Sequence, residues 1–204
     1  NHLVKDADRR VLTLLPAGGR TATGQTPLAA ILEPATTGSE LADLLLLGNN
    51  GQTLAKLNDT DLPDLTRLVD VNHDGHYELL LARFATLQLI GLGMGDSEYI
   101  QEWDYVLDAE PTAMLIQDLD EDGEDEIIVG TRDGRLHSLG MDRAIRWLNA
   151  PGGVISLLDR VRYASGDPPH IVVVRRQLPQ ADFVTDDESV LSWLELREAT
   201  GDRL

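Results

Sequence analysis

Residues 118–140 read DLDEDGEDEIIVGTRDGRLHSLG, and this stretch decides the fold. Its first nine residues place acids at alternating positions around a glycine, which is a loop and not a helix face. Next comes the aliphatic run 127–129 (IIV), whose β-branched residues favour a strand. Asp133-Gly134 then marks a tight hairpin turn before a second apolar segment. The order is loop, buried strand, turn, strand.

The rest of the chain repeats this order. Aliphatic runs stand at 44–47 (LLLL), 79–81 (LLL), 127–129 (IIV) and 171–174 (IVVV), with a weaker run at 11–15 (VLTLL). Asp43, Glu78 and Glu126 directly precede three of them, and His170 precedes the fourth. Their spacings, about 33, 35, 48 and 44 residues, suit propeller blades of roughly 40–50 residues each. Asn49-Asn50-Gly51 supplies another turn signal, and Trp103 and Trp147 fall in the segments that close two of the units. No sustained i, i+3, i+4, i+7 pattern with caps competes as a helix. The expected fold is all-β: a β-propeller of four-stranded antiparallel blades, about five by the run count, or part of a seven- or eight-bladed one. The expected units are approximately 1–25, 26–62, 63–109, 110–151 and 152–204, within a single domain or propeller fragment. Such sheets, buried on both faces, need neighbours to fold.

Composition sets the outer limits. With 35 acids against 17 Lys and Arg the formal charge is −18, which repels nucleic acid and anionic membranes. The absence of cysteine excludes disulfides, thiolate metal sites and cysteine nucleophiles. No run approaches 18 consecutive apolar residues, so no membrane insertion is expected. The chain starts at Asn1 without a signal-peptide pattern, as expected of a processed precursor or a domain of a longer polypeptide or larger complex.

Two loops carry chemistry. In residues 70–78, Asp70, Asn72, Asp74 and Glu78 offer side-chain oxygens, and His76 a backbone carbonyl. In residues 118–126, Asp118, Asp120, Asp122 and Glu126 do the same, with Glu124 as the carbonyl. A glycine at the sixth position (Gly75, Gly123) permits the sharp turn that lets alternate side chains converge. Hard oxygen donors favour Ca²⁺ over Zn²⁺ or copper, and over Mg²⁺, which demands octahedral geometry and keeps its waters. An EF-hand needs a bidentate acid at position 12, where Leu81 and Val129 stand. The competing reading is a solvated acidic turn; four carboxylates packed without a cation repel one another. The 118–126 site carries four formal negatives against three at 70–78, so it is expected to bind more tightly. Loops near Glu33 and Asp159 lack the alternating acids and are expected to be metal-free.

The segments at 118–139 and 69–92 (VDVNHDGHYELLLARFATLQLIGL) resemble the calcium-binding repeats of integrin α-subunits, the FG-GAP or VCBS repeats, which form β-propellers. The resemblance implies that each loop joins the first and second strands of a blade and that Ca²⁺ holds that connection as a structural ion. The Phe-Gly and Gly-Ala-Pro signatures of one branch are missing. Residues 190–204 (VLSWLELREATGDRL) also resemble one turn of quinoprotein-like propellers, with no cofactor residues to carry over.

Other features point to structure. Gly91, Gly93 and Gly95 lack the following helix of a phosphate loop. Trp103, Trp147 and Trp193 recur at near-equal intervals, as repeat-linked packing residues would. The five histidines are scattered, and no Gly-x-Ser-x-Gly elbow supports a triad. With no catalytic or organic-cofactor residues to assign, the expected function is a non-catalytic interaction or adhesion module, binding a protein or glycan on the propeller face outside the cytoplasm. The alternatives are an enzymatic propeller, such as a calcium-dependent polysaccharide lyase or a quinoprotein relative, and a scaffold in an intracellular assembly.

Overall fold

The computed structural model of the chain describes residues 11–16, 28–32, 41–47, 51–61, 63–70, 78–92, 99–140, 142–164, 166–177 and 192–203. Among them are fifteen strands in four antiparallel sheets and no helix. The first sheet runs β1 (Val11–Pro16), β2 (Leu28–Leu32), β3 (Leu41–Leu47), β4 (Thr53–Asp61). The second is β5 (Leu65–Val69), β6 (Glu78–Arg83), β7 (Thr86–Leu92), β8 (Tyr99–Val106). The third is β9 (Pro111–Gln117), β10 (Glu126–Thr131), β11 (Leu136–Leu139), β12 (Ile145–Asn149). The fourth has three strands, β13 (Val154–Val161), β14 (His170–Arg176) and β15 (Ser192–Arg197). Each is a meander in chain order.

The run count of about five units becomes four sheets among the described residues. The 11–15 run is not a unit of its own: β1 pairs with β2, so the expected units 1–25 and 26–62 share one sheet. An apolar run marks a buried strand, but its place within a sheet depends on its partner. The four stronger runs share one register, although 44–47 lies in the third strand of its sheet and the other three in second strands. Asp43 pairs with Leu32, Glu78 with Val69, Glu126 with Gln117 and His170 with Val161. In every sheet the residue before the aliphatic run thus faces the last residue of the preceding strand.

The chain divides into two compact units, with the division inside the second sheet and not between repeats. One comprises residues 1–83 and 87–104, the other 84–86 and 105–204. In the first, residues 78–82 of β6 are all buried, as a strand covered on both faces requires. Ala30, Leu45 and Leu47 form a cluster with Leu28, the face that the β2–β3 register predicts.

In the second unit all six residues of β10 are buried. Ile128 and Ala113 pack with Ile155, Leu158, Ile171 and Val173 of the fourth sheet. Each buried aliphatic side chain there contributes about 1.5–3 kcal/mol. At Gly130 a Cβ would overlap Ile155, so the glycine lets the two sheets approach. The Asp133-Gly134 signal forms the hairpin expected of it. The Gly134 amide donates to the Thr131 carbonyl (3.1 Å), the Thr131 amide to Arg135 (3.0 Å), and Gly134 takes φ of 84°.

The third and fourth sheets are also tied at the chain's last turn. Trp147 Nε1 donates to the Ala199 carbonyl (2.8 Å) and Asn149 Nδ2 to that of Gly201 (2.9 Å). A Cβ at Gly201 would meet the Trp147 ring. Trp147 is therefore the packing residue its spacing implied. Equal spacing does not mean equal position, however: Trp147 and Trp103 lie in fourth strands, whereas Trp193 lies in the third strand of its sheet. Trp193 is 38% exposed, with the Arg175 guanidinium 5.3 Å from its ring centre.

Candidate metal centre

The last pair of the β9–β10 ladder, Gln117 with Glu126, makes residues 118–125 a closed loop. Leu119, 1% exposed, drops into the core shared with the fourth sheet and anchors the loop from below. Glu121 (φ 65°) and Gly123 (φ 94°) turn the backbone sharply. The Asp118 carboxylate accepts from the amides of Glu121 (2.6 Å) and Gly123 (3.1 Å). Asp120 accepts from Asp122 (3.2 Å), and Asp122 from Glu124 (2.8 Å). The acids thus shape the loop that presents them.

Asp118, Asp120 and Glu126 each offer an oxygen within 4.8 Å of the other two, the one such group among the described residues. Glu126 differs from its companions in being buried, at 7% exposed, with Oε2 accepting from the Leu119 amide (2.8 Å). Burial pushes its carboxyl up to about 7. The Leu119 amide opposes the rise, while Asp120, Asp122 and Asp118 add to it. A divalent cation would reverse that balance by supplying the positive charge the site lacks. Three carboxylate donors from a loop and a strand end suit a hard cation. Asp122 lies outside the three-oxygen group, and its Oδ1 is used by the Glu124 amide.

The first loop is described only at its ends. Asp70 follows β5 and Glu78 opens β6, 4% exposed, at the register of Asp118 and Glu126. Asn72, Asp74 and His76 lie outside the described residues. In the first sheet Asp43 is buried at the register of Glu126, and Glu33 lies outside the described residues.

In the fourth sheet the sequence reading needs correction. Asp159 does not open the loop; it lies inside β13, paired with Val172. The strand continues to Val161, so the equivalent of Asp118 is Arg162, eight residues before His170 as Asp118 is before Glu126. Arg162 reaches across to ion-pair with Glu121 of the acidic loop. Counting back nine residues from the first residue of each aliphatic run would have found Arg162; nothing in the sequence showed its contact with Glu121.

No family model matches the chain, and no curated protein does. Among solved structures it is similar to BBS1N, solved in complex with ARL6DN. The identity there is 13%, over 82% of this chain and 62% of that one, with a TM-score of 0.47. It is also similar to the V. cholerae biofilm matrix protein Bap1, at 12% identity over 93% of this chain and 38% of that one, with a TM-score of 0.45. The chain spans less than two thirds of the length of either.

Proposed function

We propose that this chain is a calcium-stabilised β-propeller, or part of one, built from repeats of the integrin α-subunit type. It acts as a non-catalytic module that binds a protein or glycan partner outside the cytoplasm. The observation that carries the calcium reading is the meeting of Asp118, Asp120 and buried Glu126 at a strand junction whose register recurs in the other sheets. Asp122 and the Glu124 carbonyl complete the ligand set, and Asp70, Asn72, Asp74, Glu78 and the His76 carbonyl form the weaker second site. Calcium bound there joins adjacent strands, so its role is to hold the fold while the partner is met elsewhere on the surface.

Thermal unfolding with and without a chelator tests the reading. Calcium held at 100 times its dissociation constant adds about 2.7 kcal/mol to a native state that alone binds it. The chelated protein should melt at a clearly lower temperature; coincident melting curves would refute structural calcium.

A further inference from the structure

His137, the second residue of β11, is 2% exposed. Its strand partners, Val129 and Leu148, are apolar. The imidazole Nδ1 lies 3.4 Å from the Tyr105 hydroxyl at the end of β8, and the two rings meet edge to face at 6.0 Å. Nε2 is buried without a hydrogen-bond partner.

The charged groups around the ring are Asp108, after β8, and Asp133 and Arg135, in and beside the β10–β11 turn. Arg135 bridges the two carboxylates, at 3.3 Å from Asp108 and 3.2 Å from Asp133. One guanidinium thus offsets part of the nearby negative charge, while Nδ1 meets the Tyr105 hydroxyl and Nε2 has no hydrogen-bond partner. A neutral imidazole tolerates this setting. An imidazolium adds a buried charge and makes both nitrogens donors, one of them without an acceptor.

We propose that His137 is an acid-sensitive latch for Tyr105: as the neutral ring it seats the phenol against β11, and on protonation it gives up that seat. Burial lowers its pKa from the usual 6.5, with Asp108 and Asp133 opposing the shift and Arg135 assisting it. The seat therefore contributes fully above pH 6.5 and is lost as the pH falls through the lowered value. Burial and Asp108 raise the Tyr105 pKa, so the phenol stays protonated throughout.

Nuclear magnetic resonance of the chain from pH 8 to pH 4.5 tests the latch by two readouts. The His137 ring signals should titrate below 6.5, and the nuclear Overhauser contacts between the His137 and Tyr105 rings should vanish as they do. Open seats should gain up to about tenfold over closed ones per pH unit in that interval. In His137→Phe, which keeps an aromatic ring without a titrating nitrogen, Tyr105 should stay seated at both pH 8 and pH 5. Titration at or above 6.5, or ring contacts that survive protonation, overturns the proposal. Both readings come from the native protein, so they decide even if the variant does not fold.

Discussion

Two loops of the second unit hold the same place in their sheets and differ in what they carry. Residues 118–126 and 162–170 each run nine positions, from the residue after the first strand to the residue that opens the second and pairs with the last of the first. At the first position Asp118 faces Arg162 in the comparison, at the third Asp120 faces Ala164, and at the ninth Glu126 faces His170. The positive-φ glycine is also displaced, at the sixth position in one (Gly123) and the fifth in the other (Gly166). One loop gathers three carboxylate oxygens; the other packs His170 against Tyr163, ring centres 5.4 Å apart, and lends Arg162 to its neighbour. The lesson is that sheet register builds the loop, while side-chain chemistry decides whether it suits a cation.

The largest effects should come from exchanging that chemistry. Asp120→Ala combined with Asp122→Ala should remove one equivalent of bound calcium in titration calorimetry. Replacing residues 162–170 with the nine residues of 118–126 should add one. If the graft takes up no calcium, register is not sufficient to build the site; if the double variant loses none, calcium is not held at 118–126.

An intermediate effect should follow pH. Glu126, held up to about 7 in the metal-free protein, must ionise before it can ligate. Calcium affinity at 118–126 should weaken on the order of 25-fold between pH 7.5 and 5.5, the ratio of ionised fractions for a group of pKa about 7. The sign for metal-free stability is the opposite. With its folded pKa raised from 4.5, Glu126 favours the fold most below 4.5, and that contribution is lost as the pH rises through about 7. Calorimetry at the two pH values checks the first statement; an affinity independent of pH would show that Glu126 is not a ligand.

The smallest effect should be at Arg162. Its pair with Glu121 is 35% and 50% exposed, so solvent screens it. Arg162→Ala should cost about 0–1 kcal/mol in chemical denaturation. A loss well above that range would mean that the pair locks the two sheets together.

Much of this architecture was legible in the residues. Aliphatic runs, each preceded by an acid or histidine, located an inner strand of the first three sheets and the middle strand of the fourth (β3, β6, β10 and β14), because strands as buried as β6 and β10 must be apolar along nearly their whole length. Asp133-Gly134 located a hairpin because only a few residues accept its backbone geometry. The same reasoning failed where neighbours decide. It counted β1 as a separate unit, placed the fourth-sheet loop at Asp159 and treated three evenly spaced tryptophans as equivalent. Each error concerns a pairing or a strand length, which no local pattern encodes.

The sequence by itself determined the strands, the turns and the two acid-rich loops, since periodicity, backbone preference and donor chemistry are properties of neighbouring residues. Only the tertiary structure decided which acids converge. It buried Glu126 beside Asp118 and Asp120, set Leu119 beneath them and brought Arg162 to Glu121 across 41 residues of chain. The physical reason is that burial and charge proximity arise from partners distant in sequence, and these are fixed when sheets pack face to face.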